Sequence, residues 1–88
     1  MQLYVLSVRD VKADAFGRPF FTTSIGEAVR NFGDEVNRSA QDNLLYMHPD
    51  DFELFVLGVF DTDNGSFSLL PKPRQEAVGS SMKILKPQ

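Results

Sequence analysis

Cationic and aromatic side chains alternate along a short stretch near the amino terminus. The stretch contains Arg9, Lys12, Phe16, Arg18, Phe20 and Phe21, and the later cations Lys72 and Arg74, then Lys83 and Lys86, could assist it. Single-stranded nucleic acid is bound by this combination, because cations follow the phosphates while aromatic rings accept stacked bases. The pattern therefore indicates a nucleic-acid-binding site. The alternative is that the three phenylalanines belong to the core and the cations solvate a loop.

The only histidine, His48, stands close to Asp50 and Asp51, a combination that could suggest a metal site or an acid–base pair. A zinc site needs three or four convergent ligands, and the chain has no second histidine and no cysteine. Pro49 between them favours a turn, because proline fixes its own backbone angle and aspartate accepts hydrogen bonds from nearby amides. We therefore interpret this segment as a turn.

The run from Asp61 to Gly65 (DTDNG) has alternating oxygen ligands, as a calcium loop does. It lacks the terminal glutamate, since Lys72 stands at that position, and strands rather than helices are predicted on both sides. A hairpin turn explains it better. The glycines also match no phosphate-binding loop. We expect a protein that is not an enzyme and that has no metal site and no cofactor.

Length and charge restrict the remaining possibilities. The chain has 88 residues, which suits a single domain with one modest core, and its formal net charge is −3. Residues 39–70 contain six acids and no lysine or arginine, whereas the last 18 residues carry four cations against one acid. A DNA-condensing basic peptide is excluded, but a folded protein with one basic face is not. No stretch is apolar enough to span a membrane, so we expect a soluble protein.

The elements that would position these side chains are organised around a predicted hairpin. From Phe52 to Phe60 apolar residues occupy both faces of a strand, which is typical of a central strand. Simple alternation places Phe52, Leu54, Val56 and Phe60 on one face, with Phe60 in the core. The turn at 61–65 leads into a returning strand at 66–70, and we expect Pro71 and Pro73 to end the sheet.

The rest of the chain supplies a further strand, a helix and an arm. Residues 3–8 are predicted to form a strand, 9–18 an irregular exposed arm, and 19–22 a short edge strand. Ser24 to Asn37 is predicted to be a helix with Ser24 as its cap, and Gly33 within it requires close contact with a neighbour such as a strand. The tail fits a helical stripe or a strand at 82–86, and we favour the strand. The predicted fold is α+β: an antiparallel sheet of about three to five strands with one helix packed on a face.

Three blocks of the sequence together resemble the small nonstructural protein of gokushoviruses, which are tailless phages of the Microviridae with circular single-stranded DNA. The blocks are YVLSVRDVKADAFGRPFF, AVRNFGDEVN and HPDDFELFVLGVFD, and the match runs from about Leu3 to Leu70. The resemblance implies a phage-encoded, non-capsid protein that binds DNA in viral replication in the host cytoplasm. It supplies no catalytic residues, and the acidic balance of this chain departs from a simple DNA binder.

These observations lead to two functional expectations. The first is non-catalytic binding of single-stranded DNA during viral genome replication. The alternative is a protein-interaction module that engages a host or phage replication or assembly protein through the exposed sheet face. One helix can cover only one face of the sheet, so we also expect a homodimer or higher homo-oligomer.

Overall fold

The computed structural model describes residues 1–84. Its strands are β1 (Gln2–Asp10), β2 (Ala15–Phe16), β3 (Phe20–Thr22), β4 (Phe52–Asp61) and β5 (Ser66–Val78). Its helices are α1 (Ile25–Val36), α2 (Leu44–Met47) and α3 (Gly79–Met82), with a 3-10 turn at Pro49–Asp51. No helix within this range has the length and apolar character needed to cross a membrane. The predicted α+β class is confirmed.

All five strands join one antiparallel sheet in which β4 lies between β1 and β5. Both β2 and β3 pair with β1, along the edge that β4 leaves open, so they act as one interrupted edge strand. The hairpin from β4 to β5 turns at residues 62–65, where Gly65 adopts a positive φ of 73°. The central position predicted for the 52–60 strand and the hairpin after it are both confirmed.

The helix α1 covers one face of the sheet. Ser24 caps it, because the Ser24 hydroxyl accepts the backbone N–H of Glu27 at 3.1 Å. The buried side chains of the helix pack against buried residues of β1 and β4, and together they form the core: Leu6, Ala28, Phe32, Val36, Phe52, Leu54 and Val56. The predicted helix and its position on the sheet are confirmed. We call this side of the sheet the helix face.

A β-bulge at Leu57 changes which residues of β4 reach this core. Leu6 pairs with Val56 and Val5 pairs with Gly58, so Leu57 has no direct partner on β1. The extra residue exchanges the two faces for the rest of the strand. Phe60, which pairs with Leu3, therefore lies on the opposite face from Leu54. Simple alternation was wrong here, and Phe60 is not part of the buried core.

The prolines do not end the sheet, as the sequence had suggested, since β5 continues through Pro71 and Pro73 to Val78. The partner of Val56 is Arg74 and that of Gly58 is Leu69, so both prolines fall within a register shift. β5 is also an edge strand, where a missing N–H is tolerated. Proline therefore interrupts the regular pairing without stopping the strand.

Two further predictions need correction. The segment 9–18 is not an irregular arm, because β1 extends to Asp10 and turns back into β2. The Asp10 carboxylate accepts the N–H groups of Lys12 and Ala13 and so stabilises this turn. The predicted tail strand is also wrong where it is described, since Met82 belongs to α3, while Lys86 lies outside the described residues. Met82 fills the space beside Gly33, so the close neighbour of that glycine is α3 rather than a strand.

Candidate nucleic-acid interface

Five phenylalanines share the sheet face that α1 leaves uncovered. Directly opposed residues project to the same face of a sheet. All five rings therefore lie on the side of Leu3, Val5, Ser7 and Arg9. The pairings that place them there are Arg9–Phe16, Val5–Phe21, Ser7–Phe55, Leu3–Phe60 and Phe60–Phe67. We call Phe16, Phe21, Phe55, Phe60 and Phe67 the aromatic face. Its rings come from four different strands, so only the completed sheet brings them together.

The rings form two groups along the strands. Phe16 meets Phe55 edge to face with ring centroids 5.3 Å apart. Phe21 lies 5.7 Å from Phe60 and 6.4 Å from Phe67. These are usual geometries for aromatic pairs. Along the strands, the backbone positions of Phe55 and Phe60 are about 13 Å apart, since four residue steps separate their β1 partners Ser7 and Leu3. Phe21 lies between them, because its partner Val5 is two steps from Ser7.

The rings remain accessible to a ligand. Phe16 is 45% exposed, Phe21 is 47% exposed and Phe67 is 54% exposed, while Phe55 and Phe60 are half-buried beneath them. Large exposed apolar side chains that lie next to one another are unusual on a monomeric protein and mark a binding surface. The aromatic face is therefore the strongest candidate site in residues 1–84.

Phe20, which the sequence pattern had grouped with Phe16 and Phe21, occupies the other side of the sheet. It pairs with Leu6 and packs against the core beneath α1. Adjacent residues of a strand project to opposite faces, so Phe20 and Phe21 cannot both serve one surface. Two of the three phenylalanines in the amino-terminal pattern thus contribute to the aromatic face.

The cations of the sequence pattern divide into paired and unpaired groups. Arg9 forms salt bridges with Asp14 and, at 3.5 Å, with Glu53, so its charge is already neutralised. Arg74 is paired with Glu76 at 3.0 Å. Within residues 1–84, Lys12, Arg18 and Lys72 form no salt bridge and are exposed. These three remain available for phosphate groups.

The unpaired cations lie along two opposite edges of the sheet. Lys12 is in the turn between β1 and β2, and Arg18 lies between β2 and β3 on the same edge. Lys72 is on β5, which forms the other edge. Three strand spacings, or about 14 Å, separate these edges, and the aromatic rings lie between them. The arrangement presents rings flanked by cations.

The sequence pattern missed Phe55, Phe60 and Phe67. The signal that could have found Phe60 is Gly58, since a glycine inside a strand often marks a bulge or a close approach of another backbone. Here a Cβ on Gly58 would lie 2.4 Å from the Ser68 carbonyl oxygen of β5. Phe67 falls at an exposed position of an edge strand, which only the pairing reveals.

The polar segments that could have suggested other chemistry serve local structure. His48 is exposed in the turn between α2 and the 3-10 turn, and its backbone N–H bonds to the Leu44 carbonyl at 2.8 Å. Asp63 accepts a hydrogen bond from the amino-terminal ammonium group at 3.0 Å. Within residues 1–84, no group of three histidine, aspartate or glutamate side chains is placed to hold a metal ion.

Comparison with known proteins places the chain in a family. The sequence model of the family described as Phage ORF5 protein matches residues 3–83. Protein ORF5 of Chlamydia phage 1 is 36% identical over 70 residues, which cover 76% of this chain and 72% of that protein. No solved structure matches. The similarity to a gokushovirus-type small phage protein is thereby confirmed, and the chain belongs to the Phage ORF5 protein family.

Proposed function

We propose that this phage protein binds single-stranded DNA on its aromatic face during viral genome replication in the host cytoplasm, without catalysing a reaction. The observation that carries the proposal is the set of five rings on an uncovered sheet face, three of them about half exposed. A base has an aromatic surface whatever its identity, so such rings bind single strands with little sequence preference.

The distribution of the cations favours binding of an extended single strand of DNA over binding of a duplex. Lys12, Arg18 and Lys72, the exposed cations of the sequence pattern that form no salt bridge within residues 1–84, lie at the sheet edges. Phosphates of a DNA strand crossing the face would meet them there. Duplex DNA keeps its bases stacked inside, so it could use the cations but not the rings. The rings should therefore make the protein prefer single strands at equal length.

A second function has its own support. The net charge of −3, and the pairing of Arg9 and Arg74 with acidic side chains, suit a protein ligand better than a polyanion. In this alternative the aromatic face engages an apolar segment of a host or phage replication or assembly protein. Binding to that partner would be insensitive to salt, whereas DNA binding would weaken as salt rises.

The test is a fluorescence anisotropy titration with labelled oligothymidine and a duplex of equal length across a salt series. We expect tighter binding to the single strand. Arg18→Ala should weaken binding and lower the salt slope by about 0.7 to 0.9, since one phosphate contact is lost. Phe67→Ala should weaken binding by about 1 to 3 kcal/mol with an unchanged slope.

Matched controls come from the opposite side of the molecule. Arg30 is an exposed cation of α1, and Met47 is an apolar residue of α2 that is 49% exposed. Arg30→Ala and Met47→Ala should bind as the wild type does. Equal effects of Arg30→Ala and Arg18→Ala would remove the assignment to this face. Absence of wild-type binding at low salt would favour the protein-interaction module.

A further inference from the structure

The outer edge of β5 carries a short segment without the usual protection against pairing. Among the described strands, β5 pairs with β4 alone, so one side of its backbone is open. Residues 66–70 (SFSLL) contain no charge and no proline. Edge strands normally carry charges, prolines or bulges that prevent another strand from adding to the sheet. This segment lacks them, and Phe67 and Leu69 are 54% and 66% exposed.

The segment is complementary to a second copy of itself. In an antiparallel pair with a two-fold axis at Ser68, Phe67 of one copy lies opposite Leu69 of the partner subunit. Both residues project to the aromatic face, because Phe67 pairs with Phe60 and Leu69 pairs with Gly58. Opposed aromatic and aliphatic side chains stabilise neighbouring strands. A two-fold axis forms this contact twice, because each copy contributes the same surface to the interface.

The charges on either side of the segment favour the antiparallel orientation. The turn before it contains Asp61 and Asp63, and Lys72 follows it. The antiparallel pair brings Lys72 of each copy towards the acidic turn of the partner subunit, so opposite charges meet. A parallel pair would bring the two acidic turns together. Pro71 and Pro73 limit the contact to a few residues, since proline has no N–H to donate.

We propose that two copies associate through the 66–70 edges of β5 to form one continuous antiparallel sheet. The contact is short, and interfaces below about 1,200 Å² are typical of transient association. The two aromatic faces then join across the axis into one surface. The proposal does not depend on DNA binding, because the contact uses the strand edge and is tested without DNA.

The first test uses the absence of cysteine from the chain. In Ser68→Cys, the two thiols lie on directly opposed residues with Cα atoms about 4.5 to 5.5 Å apart, which a disulfide can span. Ser66→Cys is the matched control, since its Cα atoms in the dimer would be about 13 Å apart. Mild oxidation should cross-link the first variant and not the second. Equal cross-linking of both, or none, would overturn this register.

The second test measures mass by light scattering up to high micromolar concentration. The wild type should approach the mass of a dimer. Leu69→Lys, which places a charge opposite Phe67 of the partner subunit, should remain a monomer. Its melting temperature should match that of the wild type at low concentration, where the wild type is also a monomer. Leu44→Lys is the control, because Leu44 is an exposed leucine of α2 away from this edge. A monomeric wild type, or equal dissociation in both variants, would overturn the proposal.

Discussion

Phe60 lies directly opposite Phe67 across β4 and β5, with ring centroids 4.8 Å apart, on the face of the sheet that α1 does not cover. The contact exists because the bulge at Leu57 moves Phe60 away from the core. The pair is therefore a surface feature. Its contribution to folding should be smaller than that of the buried residues on the helix face, and its contribution to binding larger.

Substitution on the two faces of β4 should separate stability from binding. Leu54 is fully buried, so Leu54→Ala should lower the free energy of unfolding by about 2 to 5 kcal/mol through the cavity that it leaves. Phe60→Ala should cost less, because its ring is partly exposed and solvent can replace it. Urea denaturation of both variants measures the difference. Equal losses would mean that Phe60 belongs to the core after all.

Gly58 should tolerate no side chain. A Cβ there would lie 2.4 Å from the Ser68 carbonyl oxygen and 2.7 Å from the Leu69 Cα, both backbone atoms of β5. We expect Gly58→Ala to destabilise the protein by about 1 to 3 kcal/mol, because β5 must move. Gly26→Ala in α1 is the control. It meets open space and should be neutral or stabilising by up to about 1 kcal/mol. Thermal unfolding should move to lower temperature for Gly58→Ala, whereas for Gly26→Ala it should stay where it is or move to higher temperature.

Lys83 should act on stability rather than on DNA binding. Its ammonium group donates to the carbonyl oxygens of Tyr46 at 3.0 Å and Val36 at 3.3 Å, and it lies 3.5 Å from the centre of the Tyr46 ring. The two hydrogen bonds satisfy carbonyl groups at the carboxy-terminal ends of α1 and α2, and the ammonium group also makes a cation–π contact with the Tyr46 ring. Lys83→Met keeps the apolar stem and should cost about 1 to 2 kcal/mol. A reduced salt slope for DNA binding with unchanged stability would contradict this assignment.

The ion pair between Glu35 and Arg38 gives a small dependence of stability on pH. The hydrogen bond from Arg38, together with its charge, holds the pKa of Glu35 below the ordinary value. The stabilisation is therefore present above the ordinary pKa of the carboxyl and is lost as pH falls through the lowered value. Both side chains are largely exposed, so solvent screens the pair and its effect should be small.

Glu35→Gln tests this relationship. Its melting temperature should lie slightly below that of the wild type at neutral pH, and the two should converge in acid, where the wild-type carboxyl is protonated. A difference that persists at a pH well below the lowered pKa would show that the variant disturbs something other than the ion pair.

The sequence by itself determined the elements that depend on residues close to one another in the chain. The spacing of Ala28, Phe32 and Val36 defined the buried stripe of α1, and Ser24 identified its start. The turn ending at Gly65 identified the hairpin, and apolar residues on both faces of β4 identified the central strand. Caps, turns and periodicity act over a few residues, so each is visible in a short window.

Tertiary structure decided which phenylalanines share a surface. Phe16 and Phe67 are 51 positions apart, and the strands that carry them join the sheet at opposite edges. The Leu57 bulge reverses the faces of β4, and the register shift between Leu69 and Arg74 lets β5 continue past its prolines. These features depend on strand pairing between distant segments. A one-residue change of register moves every later side chain to the other face, so local alternation could not predict the aromatic face.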